Sequence, residues 1–150
     1  MRGTLILILA LMVTDMTSSS VFADSGSSRD SRLTPFHKLI DGEKYEMAIS
    51  DLKKALGESP DDADLLNLLA YSQRKLMRFD EALVNYQIAL KIEPEHRGAN
   101  EYLGELYLQM GQLDKALERL KVLDDDCFFG CEEFDELEEA IEIYRSKNPS

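Results

Sequence analysis

A constant internal period of about 34 residues constrains this chain more than any other feature. The period is carried by small residues and prolines: Ala48, Ala82 and Ala116; Ala55 and Ala89; Pro60 and Pro94. Around these markers, helical patterns alternate with short turns, and no segment has the alternation typical of a strand. A fixed period of this length indicates stacked repeats, each of which buries its apolar face against its neighbours. We therefore predict an all-α repeat fold.

The residues at the repeated positions resemble the tetratricopeptide repeat (TPR) family, whose unit of about 34 residues forms two helices. In residues 63–96 the signature positions hold Leu66, Leu69, Ala70, Ala82, Tyr86, Ala89 and Pro94, and in residues 97–130 they hold Leu103, Gly104, Tyr107, Gly111, Ala116 and Leu120. A truncated first repeat spans residues 34–62, with a first helix of about Pro35 to Ile40. The resemblance implies a right-handed helix-turn-helix solenoid.

Two local patterns suggest how the helices meet and begin. Ala70 and Gly104 are small, and we expect them where the two helices of one repeat cross, because a larger side chain would hold the backbones apart. Ser59 precedes Pro60 and two aspartates, which predicts an N-cap serine with proline at the first helical position.

Residues 131–150 are predicted to form a capping helix and tail. Phe134, Leu137, Ile141 and Tyr144 follow one another at spacings of three and four, and so form one apolar stripe. The opposite face is acidic. Such a helix suits the end of a repeat stack, where the last open core needs an element with a polar outer face.

Residues 1–23 have the pattern of a secretory signal peptide. Arg2 precedes an apolar block from Leu5 to Val13, and Val21-Phe22-Ala23 fits a cleavage site after Ala23. The alternative is an N-terminal membrane anchor, but the apolar block is shorter than the roughly 20 residues that span a bilayer. We expect an exported protein, periplasmic in a bacterium and secreted otherwise. The polar residues 24–33 are predicted to be a disordered leader.

The net charge of −12 limits the classes of partner. The signal segment carries one arginine and one aspartate, so the remaining chain keeps the whole negative charge. Such a surface repels nucleic acids and anionic membranes and favours cationic partners. We expect a protein or peptide partner, with no nucleic acid and no membrane after removal of the signal.

The two cysteines, Cys127 and Cys131, are expected to form a disulfide in an oxidising compartment. Residues four apart in a helix are too distant for this bond, but Gly130 can bend the chain between them. Reduced, buried cysteines are the alternative. The acidic neighbours, such as Asp126 and Glu132, disfavour a reactive thiolate. A zinc site at the two cysteines would lack ligands, because the only other candidate is the distant His96. No metal or cofactor is predicted.

The pattern of polar residues does not suggest an enzyme. His37 and His96 have no nearby nucleophile with an orienting acid in the sequence. The many paired carboxylates lie on helix faces that solvent would cover, and the glycines are isolated rather than grouped in a phosphate loop.

The family resemblance also implies a binding groove on the first helix of each repeat. Its second, fifth, ninth and twelfth positions commonly face a bound peptide. They correspond here to Asp64, Asn67, Tyr71 and Arg74, and then to Gly98, Glu101, Glu105 and Leu108. Helix packing is an equal interpretation of Tyr71. Some members clamp a partner's terminal carboxylate, but Tyr71, Gly98 and Tyr102 replace the expected amide and basic residues. That activity is not implied.

The sequence therefore predicts a non-enzymatic scaffold or accessory factor that holds a peptide or protein in its groove. One alternative is a self-assembling oligomer that associates through the exposed face of the first repeat. A second alternative is a redox or metal accessory protein that acts through Cys127 and Cys131.

Overall fold

The computed structural model describes residues 30–149, which form seven α-helices and no strand. The helices are α1 (Thr34–Asp41), α2 (Tyr45–Glu58), α3 (Ala63–Lys75), α4 (Phe79–Ile92), α5 (Arg97–Gln109), α6 (Leu113–Asp126) and α7 (Glu132–Lys147). They pack as the pairs α1 with α2, α3 with α4 and α5 with α6, and α7 packs on α5 and α6. The all-α prediction is confirmed. The predicted signal peptide and residues 24–29 lie outside the described residues.

The turn inside each helix pair has the same backbone geometry. Its second residue has a left-handed conformation in all three pairs: Glu43 at φ 54°, Met77 at φ 60° and Gly111 at φ 73°. The next N–H then donates to a carbonyl five residues earlier, in the pairs Lys44 to Leu39, Arg78 to Gln73 and Gln112 to Tyr107. This bond closes the first helix of each pair. Only one of the three positions is glycine, so packing of the pair, rather than glycine, imposes the turn at the other two.

The first helices of the second and third repeats begin at equivalent residues. Asp62 caps α3 by accepting a hydrogen bond from the Leu65 N–H at 3.1 Å, and His96 caps α5 by accepting one from the Ala99 N–H at 3.2 Å. The prediction of Ser59 as the N-cap was wrong. Ser59 instead ends α2, where its N–H donates to the Ala55 carbonyl, and the Asp62 carboxylate takes the capping position.

The leader is ordered at its end, contrary to the expectation of disorder up to residue 33. Leu33 is buried in the same core cluster as Ile40 and Leu52. Arg32 also donates to the Asp62 carboxylate at 2.9 Å. An apolar side chain immediately before α1 gives this part of the leader a reason to pack, because burying it removes apolar surface from water.

Helix α7 docks closely on α5 at Gly104. A Cβ atom placed on this glycine would lie 2.6 Å from both methyl groups of Leu137, whose side chain is completely buried. Gly104 was expected to admit the other helix of its own repeat, and that expectation was wrong. Because Gly104 has no side chain, α7 can approach α5 closely at this point. The glycine thereby fixes the position of α7.

Helix α7 continues the repeat rather than only covering it. It begins at Glu132, within one residue of the position one period beyond the start of α5 at Arg97. Leu103 and Leu137 are also separated by one full period and are both buried. The helix therefore occupies the place of the first helix of a fourth repeat. In residues 30–149, no helix combines the length and the apolar character that crossing a membrane requires.

Candidate functional site

A cavity of about 910 Å³ lies between α3, α5 and α7. Most of its lining residues come from these three helices, and Met77 in the turn after α3 and Phe79 at the start of α4 complete it. The lining residues are Tyr71, Arg74, Lys75, Met77, Phe79, Glu101, Tyr102, Glu105, Gln109 and Glu136. We call this cavity the groove. Leaving out Gly98, which has no side chain, four of the other seven residues at the predicted binding positions lie in it, namely Tyr71, Arg74, Glu101 and Glu105.

Arg74 is held inside the groove by neighbouring side chains. Its guanidinium carbon lies 5.3 Å from the ring centre of Tyr71 and 5.6 Å from that of Tyr102, and the two rings are 4.8 Å apart. Arg74 also forms an ion pair with Glu105, and only 6% of its side chain is exposed. The two tyrosines and the carboxylate therefore already use its charge. Tyr71 both packs against the next repeat and lines the groove, so both interpretations of this residue apply.

Glu101 is a buried carboxyl group at the contact between α5 and α7. It is 2% exposed, and its Oε1 atom has no hydrogen-bond partner. The pKa of Glu101 is raised to about 9, chiefly by burial and then by the hydrogen bond with, and the negative charge of, the neighbouring Glu136 of α7. Since this pKa lies above neutrality, Glu101 is mainly uncharged at pH 7.

Three predicted binding residues lie elsewhere. Asp64 is at hydrogen-bond distance from the His96 ring, 3.1 Å away, and Asn67 is buried, with its amide close to Gly98. Leu108 lines a separate and more apolar pocket of about 420 Å³ between α5 and α7. The first helices of neighbouring repeats pack against each other at these positions. This packing uses side chains that the family pattern would leave free to bind a ligand.

Several groove residues were not predicted from the sequence. Lys75, Tyr102 and Gln109 lie next to predicted positions, and Glu136 comes from α7. Continuing the period into α7 would have indicated that this helix lies beside α5, but the equivalent of the predicted Glu101 is Asp135, so the period alone would not have singled out Glu136.

The cysteines form a short joint between α6 and α7. Cys127 ends α6 and Cys131 precedes α7, and their sulfur atoms lie at disulfide-bonding distance. Gly130 has φ 84°, a conformation that suits glycine, and it turns the chain between them as expected. The turn presents Phe128 and Phe129 to solvent, with exposures of 87% and 96%. This exposure was not foreseen.

Residues 74–126 match the sequence model described as tetratricopeptide repeat. A tetratricopeptide repeat protein from Parabacteroides merdae ATCC 43184 superposes with a TM-score of 0.64 at 19% identity, over 76% of this chain and 44% of that one. This is a tetratricopeptide repeat fold. The chain spans less than half of the length of the Parabacteroides TPR protein. No curated protein sequence matches it.

Two further TPR structures cover most of their own chains. The type III secretion translocator chaperone SycD of Yersinia enterocolitica, in an alternative dimer, gives a TM-score of 0.67 at 17% identity, over 78% of this chain and 91% of that one. The first TPR of Spaghetti (RPAP3), bound to the HSP90 peptide SRMEEVD, gives 0.64 at 18% identity, over 73% and 87%. TPR folds mediate protein–protein interaction and are generally scaffolds rather than catalysts.

The part of the chain that the structure describes contains no group of three or more histidine, cysteine, aspartate or glutamate side chains placed to hold a metal ion. The groups that line the groove are aromatic rings, the ion pair of Arg74 with Glu105 and further carboxyl groups.

Proposed function

We propose that this TPR protein is an exported, non-enzymatic scaffold or accessory factor that binds a positively charged peptide or protein in the groove. The observation that carries this proposal is the composition of the groove. Three carboxyl groups, Glu101, Glu105 and Glu136, line it together with Tyr71 and Tyr102. Arg74 is already paired, so the surface that a partner meets consists of carboxyl groups and aromatic rings, with Lys75 as its exposed basic side chain.

Two further facts support the proposal. The net charge of −12 would attract a cationic partner at long range and speed its association. The related folds include one that binds a peptide and one that is a chaperone. Export depends on the signal-peptide pattern of residues 1–23.

Photo-crosslinking from the groove tests the proposed function. A crosslinking amino acid would replace Gln109, which is exposed and lines the groove, and in a control variant it would replace Val84, which is 53% exposed on α4 and does not line the groove. We expect the Gln109 variant to capture one defined partner from the native envelope or secreted fraction. Capture of that partner from Val84 and not from Gln109 would place the binding site elsewhere.

Self-association is a second candidate function, and the exposed aromatic pair favours it. Phe128 and Phe129 lie in the turn between the two cysteines and pack against each other, with ring centres 5.1 Å apart. Burying one such side chain stabilises a contact by about 1.5 to 3 kcal/mol. The first repeat was the expected contact surface, whereas this pair lies at the opposite end of the stack.

Replacing both phenylalanines with serine should abolish self-association and leave folding almost unchanged. Because the two rings are exposed, the free energy of unfolding should change by less than about 0.5 kcal/mol. Analytical ultracentrifugation over a concentration series measures the association, and Val84→Ser is the matched control for loss of an exposed apolar side chain. A wild-type protein that stays monomeric throughout the series would rule out this second function.

A further inference from the structure

Met77 combines two features that each work against stability. It is the second residue of the turn between α3 and α4 and has φ 60°, a left-handed conformation that any residue with a Cβ atom adopts at an energetic cost. Its side chain is also 75% exposed, so burial does not offset that cost. A single exposed apolar side chain is ordinary on a protein surface, but one that also occupies an unfavourable backbone position has a reason other than folding.

The equivalent turns of the other two helix pairs hold different side chains. One has Glu43, which is charged and exposed, and the other has Gly111, which has no side chain. Neither of these residues lines the groove, whereas Met77 does. Among the three helix-pair turns of residues 30–149, a large apolar side chain thus occupies this position only where the turn faces the groove.

The apolar surface that begins at Met77 continues on an aromatic ring. Phe79, two residues later, packs on the core of the stack and lines the groove as well. Methionine is flexible and polarisable, so its side chain can adapt to the shape of an apolar group that is placed against it. This end of the groove therefore suits an apolar side chain better than a polar one.

The charges of the groove favour the same assignment. On the α3 side, Lys75 is exposed and its Nζ atom lies 5.9 Å from the ring centre of Tyr71. The exposed carboxyl group of the groove, that of Glu136, comes from α7. A basic side chain of a partner would meet like charge on the first side and opposite charge on the second. The end at Met77 is therefore left to an uncharged side chain.

We propose that Met77 and Phe79 form a subsite of the groove that holds one aliphatic side chain of the cationic partner. This inference rests on the proposed function and adds the side chain that the groove selects. Binding buries the Met77 side chain, which is exposed in the free protein, and removal of apolar surface from water favours an aliphatic residue over a polar one. The partner is a segment that carries an aliphatic residue among basic ones.

Two peptides of equal charge test the subsite. The first is a capped pentapeptide with a leucine between two lysines and a glycine at each end, and the second has serine in place of the leucine. Each is titrated by NMR into protein labelled on its methionine methyl groups, and the Met77 signal is the one that Met77→Gly lacks. We expect the leucine peptide to bind at least about fivefold tighter and to shift the Met77 signal. A wild-type protein that does not prefer the leucine peptide, or a Met77 signal that does not move, would overturn the proposal.

Two glycine variants separate recognition from folding. Met77→Gly removes the side chain from the groove, and Glu43→Gly makes the same backbone change at the equivalent turn outside it. Both variants should raise the urea midpoint of unfolding, because glycine adopts a positive φ without strain. We expect the preference for the leucine peptide to disappear in Met77→Gly and to persist in Glu43→Gly. The opposite result for either preference contradicts the proposal, and so does a lower midpoint for Met77→Gly, which would mean that the side chain serves folding.

The crosslinking experiment keeps this inference distinct from the proposed function. A partner that is captured from Gln109 and binds Met77→Gly as tightly as the wild type keeps the groove as the binding site and removes the subsite. Capture from Val84 and not from Gln109 removes the proposed function itself, whatever the peptides show.

Discussion

Replacing Glu101 with glutamine should stabilise the protein at pH 8 by on the order of 5 kcal/mol and should flatten the dependence of its stability on pH. Glutamine has nearly the same shape as glutamate but stays uncharged at every pH. The buried carboxyl of Glu101 has a pKa of about 9 in the folded protein, against an ordinary value of 4.5. The folded state therefore holds a proton that the unfolded chain releases between these two values.

The sign of the effect follows from this difference. Below about pH 4.5, Glu101 is protonated in both the folded and the unfolded state and does not lower the free energy of unfolding. As the pH rises from there through about 9, the free energy of unfolding falls. One such group changes the free energy of unfolding by about 1.4 kcal/mol per pH unit within this window. The charged groups around Glu101 are Glu105 on α5, Glu133 and Glu136 on α7 and, across the groove, Arg74 and Lys75 on α3. Most of them carry negative charge, which adds to the penalty of ionising it.

Urea unfolding at a series of pH values measures the effect as a difference between the variant and the wild type. That difference should grow from about pH 5 to about pH 9 and then level off, whereas acid denaturation through other carboxylates cancels in the subtraction. Glu139→Gln is the control, because it removes an exposed carboxylate from α7, and it should change stability by less than about 0.5 kcal/mol. Parallel profiles for Glu101→Gln and the wild type would show that Glu101 is ionised in the fold.

Most of the fold could be predicted from the period, because the small residues and helix ends that carry it are local features. The equivalent turns at Glu43, Met77 and Gly111 show how closely the backbone follows the repeat. The errors occurred where packing between repeats decides the outcome. Gly104 receives the side chain of Leu137, which lies almost one period later in the chain, and this contact cannot be seen within a single repeat. Leu33 joins the core of the first repeat although it lies outside the repeated pattern.

The groove could be predicted only in part, for a related reason. A family position shows which face of a helix a residue lies on, but it does not show whether the next repeat covers that face. Asn67 and Leu108 lie on the expected helices, yet packing with neighbouring elements buries them. Glu101 shares their burial but keeps a free acceptor beside the cavity. This combination of burial and an unused acceptor appears only when α7 is in place.

Gly104→Ala and Gly57→Ala should change stability in opposite directions, although both replace a helical glycine with the best helix former. At Gly57 a new methyl group would meet nothing within 4 Å, so the variant should be stabilised by up to about 1 kcal/mol. At Gly104 the same methyl group would lie 2.6 Å from both methyl groups of Leu137. Overpacking of this kind costs about 1 to 3 kcal/mol, which exceeds the gain in helix propensity.

A double-mutant cycle with Leu137→Ala tests whether the docking of α7 is the cause. Leu137→Ala alone should cost about 2 to 5 kcal/mol, because it removes a completely buried side chain. It also creates the space that the new methyl group at Gly104 needs. The double variant Gly104→Ala/Leu137→Ala should therefore be less destabilised than the sum of the two single variants, by at least about 0.5 kcal/mol in urea unfolding. Strict additivity would mean that the two residues do not contact each other and that α7 is held to the stack elsewhere.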